Sequence, residues 1–343
     1  VYIALSVVTG GLVALMILVN GRLQSVAGAL PALIFIHLTG LVASALYLAL
    51  TGSSARRERS ASAPAFSEGR VASPVPAVSS ASQIAVTPFW FVFAGALGIG
   101  VVFLNNLIFI KGGVLLALGG TLAGQTLFAH LLEGTRWFDG RRSPTVQRVL
   151  SLALVLPGAA LIGLRSGVGI GWTALSWLPG ALLMIQSMMN ARNAVRWGQS
   201  RMLLFNYATA LLALLPLFAL LGLAGSNFSR GGRAVGSWSA LARTAGDTAP
   251  YLLVVGGAIG VIVVGTSIFL FNRSSALKVV LGLYSGQIAV GILIDSLSGL
   301  PLQIEKLVGI GMVVIGLGAG EIRRMRRPRR RTQEPVIGRN AER

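Results

Sequence analysis

Gln125 and Gln287 each follow a glycine, in Gly124-Gln125 and Gly286-Gln287, near the middle of long apolar runs. A carboxamide offers two donors and one acceptor without a charge, so it can read a polar solute in apolar surroundings at less cost than an ion. It can equally hydrogen-bond a neighbouring helix and only hold a bundle together. Asn20 with Gln24, and Gln186 with Asn190, are spaced i, i+4, which puts each pair on one helical face. Two amides on one face can grip one solute. Asn20 and Asn190 come late in their runs, however, and could instead cap fraying helix ends. Asn105, Asn206 and Tyr284 are further cavity candidates, each also open to a packing or helix-bridging role.

Glu133 and Asp295 end two of the apolar runs. A carboxylate that alternates between wet and dry surroundings changes its affinity for a proton, which makes these two the proton-coupling candidates. The other reading is an ordinary charge at a wet interface. His130 and Glu133 lie i, i+3, but no third ligand stands nearby, so no metal site is expected. The chain has no cysteine, which excludes disulfides, thiolate metal sites and a cysteine nucleophile. It also lacks a Walker A loop, a paired-carboxylate site and a legible serine-base arrangement, so neither an enzyme nor a cofactor is expected.

The elements that must hold these residues follow from composition. Of the 343 residues, 54% are hydrophobic and 11% charged, and the mean hydropathy is +0.76. Soluble domains carry roughly 25% charged residues. Apolar runs of about 20 residues, the length needed to cross a hydrocarbon core as a helix, recur with no period of two. Ten spans are expected, at about 2–23, 31–51, 88–110, 113–133, 148–165, 172–191, 201–223, 250–271, 275–295 and 304–321. The first run lacks a basic leader and reads as a retained span. Residues 52–87, rich in Ser, Ala and Pro, read as a mobile linker, and 322–343 as a disordered basic cytoplasmic tail.

Of the 29 Lys and Arg, 22 fall on the side that holds both termini, which predicts a multi-pass protein of the cytoplasmic membrane with both ends inside. The net charge of +19 is concentrated in loops and tail, which suits contact with anionic lipids better than nucleic acid. Gly316-x-x-x-Gly320 in the last span leaves a homodimer open.

The chain also repeats itself. At an offset of 170 residues Asn190-Ala-Arg192 falls on Asn20-Gly-Arg22, Gly198 on Gly28, Phe205 on Phe35, Tyr207 on His37 and Thr209 on Thr39. At 162, Gly257-Ala-Ile-Gly260 falls on Gly95-Ala-Leu-Gly98, Gly286-Gln287 on Gly124-Gln125 and Asp295 on Glu133; at 158, Gly316 falls on Gly158. The expected fold is therefore all-α, ten transmembrane helices in a 5+5 arrangement, with repeats at 1–165 and 166–321. An odd number of spans per repeat inverts the second half, an architecture used by transporters.

The order of these motifs resembles the drug/metabolite transporter superfamily and, within it, the YdcZ-type inner-membrane exporter branch with two five-span units fused. The matching residues are Asn20, Gly124-Gln125 and Glu133 in the first half, and Gln186, Asn190, Gly286-Gln287 and Asp295 in the second. The resemblance implies a secondary transporter that moves a small organic metabolite or drug outward by alternating access, often with protons. Small multidrug exporters of the superfamily use a glutamate in the first helix, whereas spans one and six here have no acid. Two other readings of the same chain are a flippase-like translocator of a lipid-linked metabolite and a non-transporting membrane scaffold.

Overall fold

A computed structural model of the chain describes residues 2–61, 89–132, 146–223, 242, 246, 248–273, 276–300 and 303–326. These residues form an all-helical bundle: α1 (Tyr2–Ala27), α2 (Ala29–Ala61), a 3₁₀ turn (Phe89–Phe93), α3 (Ala94–Leu132), α4 (Val146–Leu164), the short α5 (Gly169–Leu175), α6 (Leu178–Trp197), α7 (Gln199–Leu223), α8 (Pro250–Arg273), α9 (Ala276–Leu297) and α10 (Ile304–Arg326). Helices are what such runs must form, because each satisfies its own backbone hydrogen bonds where water is absent.

Among the described residues five helical stretches are long and apolar enough to cross a membrane by length and composition, namely Tyr2–Ala27, Ala29–Thr51, Phe91–Leu131, Gln199–Leu220 and Pro250–Ser267. Val149–Leu164 and Gly282–Leu297 are shorter apolar helices. Large apolar side chains such as Leu46, Leu50, Leu212, Leu220 and Leu297 face outward, as they do in a protein whose solvent is lipid. The helix edges differ from the sequence expectation in three places. Helix α2 continues to Ala61, since the Arg, Glu, Ser and Ala residues that follow the apolar run tolerate helix as well as coil. Helix α10 likewise runs on to Arg326, and the span expected at 172–191 is divided, with α5 ending at Leu175 and α6 beginning at Leu178. Residues 62–88, most of the expected linker, and 327–343 of the tail lie outside the described residues.

Two spans expected as separate helices form one run, α3, broken at Gly113, whose φ of 86° and ψ of 178° are not helical. A side chain there would be strained, so glycine sets the break. The first arm is 94–112 and the second 114–132. Single glycines also join helix to helix elsewhere. Gly28 (φ 85°) separates α1 from α2, its N–H bonding the Gln24 carbonyl and its carbonyl the Ala32 N–H. Gly198 (φ 83°) separates α6 from α7, bonded in the same way to Ala194 and Met202.

Glycines also set the closest helix crossings, where backbone meets backbone. Helix α9 crosses α1 with Gly286 against the Val7 carbonyl and the Gly11 nitrogen, and with Gly10 against the Leu283 carbonyl. The second arm of α3 crosses α6 with Gly124 against the Trp177 carbonyl and the Ala181 nitrogen, and with Gly180 against the Thr121 carbonyl. Gly257 of α8 lies against Thr39 and the Ile36 carbonyl of α2, and Gly95 of α3 against Thr209 and the Asn206 carbonyl of α7. Helices α4 and α10 pair through Gly158 on the Gly309 carbonyl and Gly316 on the Ser151 carbonyl. Gly316 is thus engaged within its own chain.

Candidate functional site

The polar residues singled out in the sequence fall into three places. The first joins α6 and α7. The spacing of Gln186 and Asn190 puts both amides on the face of α6 that meets Asn206 of α7, and the Asn206 Oδ1 accepts from Gln186 Nε2 and Asn190 Nδ2, each at 3.1 Å. Gly98 on the first arm of α3 leaves room for the Gln186 amide. The Asn190 Oδ1 is buried and has no hydrogen-bond partner among the described residues. Asn193, one turn further along, donates to the Phe91 carbonyl at 2.8 Å and ties α6 to the 3₁₀ turn. Its i, i+3 spacing from Asn190 was the available signal, and the residue was missed.

The second place is on α1. Asn20 and Gln24 are both buried, and neither caps a helix end, because α1 continues to Ala27. The Asn20 Oδ1 lies against Gly256 of α8, and among the described residues neither Asn20 Oδ1 nor Gln24 Oε1 has a hydrogen-bond partner. Near the same helices, Tyr207 of α7 stacks beside His37 of α2 with ring centroids 6.1 Å apart, and its hydroxyl approaches Gly260 of α8. The His37 Nδ1 is 2.8 Å from the Leu33 carbonyl of its own helix. A buried amide oxygen without a donor is a rare and expensive arrangement, so each of these groups asks for a partner that the described residues do not supply.

The third place is the break in α3. The first-turn N–H groups of the second arm have no carbonyl behind them, as at any helix start. Asp295 of α9 fills this need: its Oδ1 accepts from Val114 N–H at 2.7 Å and its Oδ2 from Leu115 N–H at 3.0 Å. The carboxylate is buried, and Gly113 lies between it and the Leu300 side chain. Lys306, buried at the start of α10, acts on Asp295 by charge attraction. Close by in sequence, Glu305 pairs with Arg165 at the end of α4 at 3.3 Å, a partly exposed ion pair. Nothing in the spacing of Lys306 signals that it would be buried.

The remaining candidates lie elsewhere. Asn105 accepts from the Thr121 hydroxyl at 2.8 Å, which bridges the two arms of α3. Tyr284 packs against the apolar cluster of Leu115, Leu122, Ala123, Val155 and Ala159. Gln287 borders a narrow apolar pocket with Leu118, Leu122, Ile162, Ile310 and Val313, between the second arm of α3 and helices α4, α9 and α10. Gln125 is half-buried, and its backbone nitrogen sits against Gly180. Glu133 lies outside the described residues.

No curated protein matches the chain. A solved structure described as "Crystal structure of protein" aligns with a TM-score of 0.47 at 18% sequence identity, covering 94% of this chain and 99% of its own. The family model described as "Putative inner membrane exporter, YdcZ" matches residues 71–161 and 171–318, well over half of the chain. An all-helical bundle with lipid-length apolar helices and uncharged amides at its α6–α7 contact is the setting for that match, and the chain belongs to the YdcZ family of inner-membrane exporters, as a multi-pass membrane protein.

Proposed function

We propose that the protein is a secondary transporter of ten spans in a 5+5 inverted repeat, which exports a small organic solute by alternating access. The observation that carries this reading is the duplicated set of glycine crossings. Gly286 on Val7 and Gly11, and Gly124 on Trp177 and Ala181, are related residue by residue through the offsets 162 and 170. The same offsets relate Gly10 on Leu283 to Gly180 on Thr121, and Gly257 on Ile36 and Thr39 to Gly95 on Asn206 and Thr209. Two equivalent interfaces of like energy are what a rocking mechanism requires, because closing one can offset opening the other. One family model matching a stretch in each half fits the same duplication.

The amides form the solute site in this reading. Asn20, Gln24, Gln186, Asn190 and Asn206 supply neutral hydrogen-bonding groups, and the unpartnered oxygens of Asn20, Gln24 and Asn190 await donors on the solute. Gln125 and Gln287 are further solute-contact groups in this reading, Gln287 at the pocket that it lines with Leu118, Ile162 and Ile310. Protons couple through Asp295 and its counterpart in the sequence repeat, Glu133. Both termini are cytoplasmic, and the basic tail contacts anionic lipid.

Purified protein should be screened for ligand-dependent thermal stabilisation against amino acids, nucleobases, sugars, cationic drugs and lipid-linked precursors. A true solute raises the melting temperature through RT ln(1 + [L]/Kd). Asn190→Ala and Gln24→Ala should each abolish most of that rise. Stabilisation by lipid-linked compounds alone would move the reading to a flippase.

A further inference from the structure

We infer that Asp295 and the break at Gly113 form the latch that holds one face of the bundle closed, an inference that rests on the transporter reading. The two bonds of this latch join residues 181 and 180 positions apart, from Val114 and Leu115 to Asp295. They therefore tie the first half of the chain to the second, across the seam along which a rocking mechanism must part.

The latch is dictated by local chemistry. Gly113 ends one helix arm and starts another away from water, which leaves first-turn N–H groups that need acceptors. One carboxylate takes two of them, in the charge-assisted form that makes such bonds strong. Lys306 offsets the buried negative charge from the next helix. The Asp295 backbone is itself pinned, because its carbonyl accepts from Leu300 N–H at 2.9 Å in the turn that contains Gly299. Val114 and Ile294, which adjoin the latch, belong to a buried apolar plug with Ala14, Ile17, Ile108, Leu116, Ala117 and Leu118, drawn from α1, both arms of α3 and α9. Parting α9 from α3 here breaks both N–H···O bonds together and opens the plug, so the closed state ends in one step rather than by gradual sliding. With both termini inside, this is the outer face, the one through which an exporter releases its solute.

The test uses the full chain in nanodiscs, where reagent reaches both faces. Because the protein has no cysteine, Ala117→Cys introduces a single thiol in the plug, at a position with 0% exposure. A hydrophilic maleimide should label it slowly. Adding Asp295→Asn, or separately Gly113→Ala, should speed labelling about tenfold or more, the factor that about 1.4 kcal/mol of closing free energy represents. The two changes together should add little beyond either alone, since they break one contact. Gly113→Ala attacks the latch from α3 and serves if Asp295→Asn does not fold. The inference is overturned if cooperatively melting variants of both kinds label at the parent rate. Solute flux in proteoliposomes separates the two readings: Asp295-dependent labelling without any flux sinks the transporter and leaves the latch, whereas flux with Asp295-independent labelling sinks the latch alone.

Discussion

Asn206 illustrates how much one side chain can organise in a low-dielectric interior. Its oxygen receives two amide donors from α6, so truncating it strands both Gln186 and Asn190. Buried donors left without acceptors cost about 1–3 kcal/mol each in water-soluble proteins, and hydrogen bonds within membranes are worth about 1 kcal/mol. Asn206→Ala should therefore lower stability by about 1–3 kcal/mol, seen as an earlier cooperative melt in detergent, and should weaken solute-dependent stabilisation as well. An unchanged melt would mean that the amides find other partners. The i, i+4 rule made Gln186 and Asn190 legible as a pair from sequence. Nothing in that rule pointed to their shared acceptor on the next helix, because spacing along one helix is silent about its neighbour. Asp295 was legible as an acid at a helix end, but not as a cap, because the groups it caps are backbone N–H groups and carry no side-chain signature.

At the scale of the element, close crossings depend on glycines that have no alternative. Replacing Gly124 or Gly286 with valine drives a side chain into a backbone carbonyl, and overpacking of this kind costs about 1–3 kcal/mol or more. Both variants should melt earlier and by similar amounts. Gly311 and Gly318 on α10 have nothing within 4 Å of an added Cβ, so alanine there should change stability by less than about 0.5 kcal/mol. Differential scanning fluorimetry on the four variants checks the contrast, and equal effects at all four would remove the crossings from the account. Hydropathy alone found the apolar helices because their length is set by the bilayer. It located the α3 break within a few residues, between the spans expected at 88–110 and 113–133, but could not show that the connection is a single residue. It misjudged the end of α2, where helix propensity outlasts apolar character.

The whole molecule is a membrane bundle whose charge is distributed unevenly about it. If the proposed topology puts 22 of the 29 cations on the cytoplasmic side, a protease site placed after Arg343 should be cut in inverted vesicles and protected in intact cells. Cleavage from the outside would reverse the orientation and place the Asp295 latch on the cytoplasmic face, making it the loading gate rather than the release gate. The all-helical membrane class was legible from the apolar runs, because their length is set by the bilayer. The one-residue joints at Gly28 and Gly198 bear on something else, the history of the chain's length. A joint with no slack cannot accept an insertion without turning every following side chain to a new face. The offset between halves stays at 170 across these joints and shifts to 162 only between α7 and α8, then to 158 only between α9 and α10. Tags, epitopes and fusion partners should obey the same rule and be rejected at the glycine joints.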